Sequence, residues 1–66
     1  MGISYKPLFI LLAQHGMKKT DLSEKVGIAT NTLAKFAKGE PVSLETIEKL
    51  CKYFHCQPSD IFEVIP

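Results

Sequence analysis

Sixty-six residues with 45% apolar side chains make one small domain, and a chain this short buries only about 60% of its unfolded surface, so a partner subunit would help its stability. Its longest apolar run, Leu8 to Ala13, is six residues, far short of the ~18 that suggest a membrane span, and Met1 to Pro7 lacks the features of a signal peptide. No membrane partner is expected, and the expected location is cytoplasmic.

In chain order, Ser4 is placed to cap a first helix that tolerates Pro7 in its opening turn. Leu8, Leu11 and Leu12 then form one apolar face at i, i+3, i+4 spacing, and Gly16 ends the helix. Lys18 to Val26 reads as a helix of about two turns, with Leu22 and Val26 four apart and Gly27 as its stop. Ile28 opens a second short amphipathic piece. In it Leu33, Phe36 and Ala37 share a face while Thr30, Asn31, Ala34, Lys35 and Lys38 point outward, and Gly39 closes it. After the connector Glu40 to Val42, Ser43 is a good N-cap with Glu45 near the positive helix end. Leu44, Ile47, Leu50, Cys51 and Phe54 follow at helical spacing, making this fourth helix the longest. Pro58 suits the first turn of a last short helix, Ser59 to Phe62, and Val64 and Ile65 favour strand.

The net charge of +1 argues neither for nor against nucleic acid, but its distribution does argue. Residues 17–38 carry Lys18, Lys19, Lys25, Lys35 and Lys38 against Asp21 and Glu24, a net +3, and residues 39–66 carry a net −3. The basic charge therefore sits where a footprint on phosphate would be. All basic residues are lysine, so guanine reading through bidentate arginine is excluded. Two short helices joined by a tight turn at Gly27 can project the second into a major groove. Packing by Leu22, Val26, Ile28, Leu33 and Phe36 would leave Thr30, Asn31, Thr32 and Lys35 free. Asn pairs with adenine, Thr offers a hydroxyl or a methyl, and Lys reaches guanine acceptors or a phosphate.

The run MKKTDLSEKVGIATNTLAKFAKGEPVSLETIEKLCKYFHCQPSDIF resembles the Cro/lambda-repressor, or Xre-type, helix-turn-helix domain over nearly the whole chain. The match is carried by Leu22, Gly27-Ile28, Thr32-Leu33, Lys38-Gly39, Ser43-Leu44-Glu45-Thr46 and Pro58-Ser59-Asp60-Ile61. Within that family the chain is most similar to the short, YozG-like stand-alone regulators. The resemblance implies an all-α, five-helix domain over residues 1–66, with the helix-turn-helix at about 18–38. It implies that Thr30, Asn31 and Lys35 read base edges of double-stranded DNA, and that Lys18, Lys19, Thr32, Lys38 and the Gly39 backbone hold phosphates. Lys18 and Asn31 suit either role. Where relatives place a capping Ser before the recognition helix this chain has Ala29, so either Ala29 or Thr30 is the cap and the helix start is open by one residue.

A single recognition helix touches few base pairs, so a homodimer on a pseudo-palindromic operator is expected, most simply as a repressor. Phe62, Val64 and Ile65, with Tyr53, are the expected interface. Either Gly2 to Tyr5 pairs with Phe62 to Ile65 as a small two-stranded sheet that presents part of it, or Val64 and Ile65 bury directly against the partner. The low net charge and the absence of arginine keep open a protein-interaction module of the same fold, antitoxin-like or a co-regulator. No enzyme is expected, since no phosphate loop or catalytic set is present. No small-molecule ligand or cofactor is expected. Cys51 and Cys56, with His15 and His55, match no metal spacing, and the cysteines read as small core hydrophobes, a redox pair being the alternative.

Overall fold

The computed structural model describes residues 2–66. Four helices and a two-stranded ribbon follow one another as β1 (Gly2–Ser4), α1 (Lys6–Gln14), α2 (Lys19–Asp21), α3 (Thr30–Lys38), α4 (Leu44–Phe54) and β2 (Glu63–Ile65). The core is made by Tyr5, Leu8, Leu12, Leu22, Ile28, Leu33, Phe36, Ile47, Leu50, Phe54 and Ile61, with no buried charge among the described residues.

The start of α1 accounts for each of its unpaired amides. Tyr5 rather than Ser4 occupies the cap position, but the Ser4 hydroxyl still accepts the Lys6 N–H at 3.2 Å. Pro7 has no N–H to satisfy, and the Leu8 N–H donates to the Ile61 carbonyl at 3.1 Å. The helix is thereby tied to the far end of the chain.

The expected second helix is regular only over α2 and then widens into a π-type turn, Leu22–Val26. The Leu22 carbonyl receives both the Gly27 N–H and, at 3.2 Å, the Ile28 N–H. With Gly27 at φ 84° the chain reverses there and drops Ile28 into the core, while Val26 stays half-buried. The fourth helix has the expected cap, Ser43 Oγ accepting the Thr46 N–H at 3.2 Å. It ends at His55 in the left-handed region (φ 55°), a place more often held by glycine.

Two expectations need correction. The fifth helix is a single 3-10 turn, Pro58–Asp60, so the helices number four among the described residues. Pro58 starts it and β2 begins at Glu63, which leaves too little chain for a run of i→i+4 bonds. Leu44, placed by its spacing on the inner face of α4, is 82% exposed. As the first residue of the helix its side chain leans past the N-terminal end, beyond the core that Ile47, Leu50 and Phe54 reach.

The chain ends meet. β1 and β2 pair antiparallel with Gly2 opposite Ile65, Ile3 opposite Val64 and Ser4 opposite Glu63. The terminal pairing was one of the two arrangements the sequence left open. Tyr5, 3% exposed, fixes this ribbon to the body: its hydroxyl donates to the Glu40 carbonyl at 2.6 Å and its ring meets Phe36 edge-on at 4.9 Å. Burial raises the phenol's pKa above its ordinary value, against a smaller lowering by the Val42 backbone.

Candidate nucleic-acid interface

The turn at Gly27 sets α3 against α2 with Leu33 and Phe36 inward. At 100° per residue, Thr30, Ala34, Lys38, Asn31 and Lys35 fall on one outward arc of about 140°. All five are exposed, whereas Thr32 sits beside this arc and is half-buried. The three expected base readers thus share a face, and Ala34 lies on it between Thr30 and Asn31. That alanine was not singled out as a site residue, yet a methyl there lets the helix approach closely and suits a thymine methyl.

Helix starts shape the site further. α3 begins at Thr30 with Ala29 as its cap and no side chain capping it, which fixes the start that the sequence left open. Thr32 and Leu33 N–H groups both go to the Ala29 carbonyl. At α2 the Lys18 N–H is accepted by Asp21 Oδ2 at 2.9 Å, but Lys18 and Lys19 offer no side-chain acceptor in return. Two ammonium groups at the positive end of a helix oppose its dipole, so they weaken the fold slightly and fit an anion outside it.

The lysines divide into two sets. Lys49 and Lys52 pair with Glu45 and Glu48 one turn back on α4, at 4.0 and 3.8 Å. Lys6, Lys18, Lys19, Lys25, Lys35 and Lys38 are exposed with no ion pair among the described residues. Every lysine of the helix pair is therefore available to phosphate, and Lys19 alone is held, its Nζ lying 5.7 Å from the centre of the Phe9 ring.

Gly39 departs from its expected role. Its N–H already donates to the Lys35 carbonyl, so that amide is not free for a phosphate. The residue is required structurally: a Cβ there would lie 2.7 Å from the Ile3 carbonyl oxygen.

The four expected interface residues do not form one patch. Ile3 and Phe62 line a small groove with Leu44 and Val42, and Val64 pairs across from Ile3, whereas Ile65 lines a separate depression beside Phe9 and Lys38. Val64 and Ile65 are 73% and 47% exposed. Tyr53 lies nine residues beyond Leu44, about 13 Å along α4, with its ring on Phe54.

A model of the Cro/C1-type HTH DNA-binding domain matches residues 8–66. The chain belongs to that family. It is 43% identical over 56 residues to the uncharacterized HTH-type transcriptional regulator YozG of Bacillus subtilis (strain 168), a match covering 82% of this chain and 67% of YozG. The fold is similar to the crystal structure of the transcriptional regulator VanUg, with a TM-score of 0.93, 42% identity and coverage of 98% of this chain and 87% of that one. Residues 8–66 are thus a helix-turn-helix DNA-binding domain of the Cro/C1 type.

The cysteines stand apart from this surface. Both are free and half-buried, packed on the core, and burial together with Cys51 beside it pushes the Cys56 thiol up to about 11. A thiol held protonated is inert, which favours packing over redox chemistry. No helix among the described residues is long and apolar enough to cross a membrane.

Proposed function

We propose that this Cro/C1-type protein is a sequence-specific regulator that binds double-stranded DNA as a homodimer on a pseudo-palindromic operator, without catalysis, in the cytoplasm. The segregation of charge carries the reading. Lysines on α2 and α3 are unpaired around an arc of polar side chains, while those on α4 each lie beside a glutamate one turn back.

In this reading α3 enters the major groove with Thr30, Asn31 and Lys35 at base edges. Lys18, Lys19, Thr32 and Lys38 meet the flanking phosphates. The Asn31 amide is suited to adenine and Lys35 to guanine acceptors. Occupying a promoter excludes polymerase by bulk alone, so repression requires no further contact. Two copies about 34 Å apart double the number of base pairs read. Phe62, Val64, Ile65 and Tyr53 remain the proposed interface. Because they lie on more than one face, we place its centre at Phe62 and Val64 beside the exposed Leu44.

The same exposed apolar side chains suit a protein-interaction module, whose partner would take the place of the second copy. Asn31→Ala separates the two. It is expected to weaken binding to a selected site by about 1–3 kcal/mol while leaving random DNA unaffected. Titration of both duplexes by fluorescence anisotropy checks this, and equal affinities of variant and parent for the selected site would contradict the assignment.

Phosphate contacts behave differently. Lys38→Ala is expected to weaken all duplexes alike and to lower the slope of log K against log salt by about one, whereas Lys49→Ala, whose ammonium faces Glu45, leaves that slope unchanged. A salt titration of each variant measures it.

A further inference from the structure

We propose, resting on the reading of Lys19 as a phosphate contact, that Phe9 is a positioning residue for DNA binding whose exposed ring holds the Lys19 ammonium ready for the backbone. Phe9 lies on α1, outside the helix pair, is 36% exposed and takes no part in the hydrophobic core. Lys19 Nζ stands 5.7 Å from the ring centre. The same ring walls a depression of about 330 Å³ that Lys6 and Lys38 also line, and no carboxylate is among its lining residues. Cations from α1, α2 and α3 therefore lie around this one ring.

A ring is suited to this task in a way a carboxylate is not. Its quadrupole attracts an ammonium without cancelling the charge that a phosphate must feel. It also covers one side of the group only, and with three N–H donors on the ammonium the others stay free for phosphate oxygens. A free lysine side chain loses much rotamer freedom when it is fixed on DNA. One already lying on Phe9 has lost part of it beforehand, and the difference appears as affinity.

A double-mutant cycle tests this, with a short random-sequence duplex at about 50 mM salt as the probe, since phosphate contacts do not depend on sequence. Phe9→Leu is expected to weaken binding by about 2- to 5-fold in the parent and to have no effect in the Lys19→Ala background. Phe9→Tyr, which keeps the ring, is expected to bind like the parent. In the free protein the Lys19 ε-methylene protons are expected upfield in the proton spectrum and to return to their ordinary position in Phe9→Leu. If Phe9→Leu binds like the parent, or weakens both backgrounds equally, or is not rescued by Phe9→Tyr, positioning by Phe9 is overturned. Lys19→Ala binding like the parent would overturn the phosphate reading of Lys19 as well, so the two failures are distinguishable.

Discussion

Phe36→Ala is expected to lower stability by about 3–5 kcal/mol, a large part of the roughly 3–10 kcal/mol available to a domain of this size. The ring is 1% exposed and is the largest fully buried side chain, and it meets Tyr5 edge-on at 4.9 Å. Its removal leaves a cavity beside Tyr5, whose hydroxyl bond to Glu40 and the Leu8–Ile61 backbone bond limit how far the surroundings can collapse. Because Phe36 and Leu33 set the rotation of α3, whatever molecules remain folded would present Thr30, Asn31 and Lys35 less uniformly. A thermal melt by circular dichroism is expected to show a midpoint about 15 °C or more below the parent. A shift of a few degrees would mean that the core reads wrongly at this point.

Gly39→Ala is the second large effect, expected at about 2–3 kcal/mol, and it has two sources. The residue sits at φ 70°, where a Cβ is strained, and that Cβ would lie 2.7 Å from the Ile3 carbonyl oxygen. A backbone oxygen cannot swing aside as a side chain can, so β1 must move and take its pairing with β2 along. Gly27→Ala supplies the comparison. That residue also has positive φ, at 84°, but nothing lies within 4 Å of its added Cβ. Only the conformational term of about 1–2 kcal/mol is expected there. Urea unfolding of the two variants side by side checks the difference, and equal losses would remove the Ile3 contact from the account.

These two positions show what a sequence conveys and what it withholds. The inward set Leu22, Ile28, Leu33 and Phe36 was legible because helical periodicity reports which side chains share a face. Gly27 and Gly39 were legible as stops. The contact that makes Gly39 irreplaceable was not, because Ile3 lies 36 residues away and local pattern carries no such information. The same holds for Tyr5, whose hydroxyl reaches the Glu40 carbonyl across 35 residues. Leu44 shows the opposite error: its spacing fits the buried face, but spacing does not say where a helix end stands relative to the core.

The site followed the same division. Thr30, Asn31 and Lys35 were chosen by residue type and family resemblance, and α3 brings them onto one exposed arc. Charge counting located the basic segment but could not distinguish paired from unpaired lysines. That distinction needed Glu45 and Glu48 beside Lys49 and Lys52 on α4. Phe9 suits core and interface equally by sequence, since an aromatic on an amphipathic helix can serve either until its exposure is known.

Site selection from random duplexes, followed by sequencing of the bound pool, tests the central claim most directly. The expected result is an enriched motif with two-fold symmetry, its half-sites about 10 base pairs apart centre to centre, and Asn31→Ala losing the preference at one position of each half-site. A bound pool indistinguishable from the starting one would contradict it.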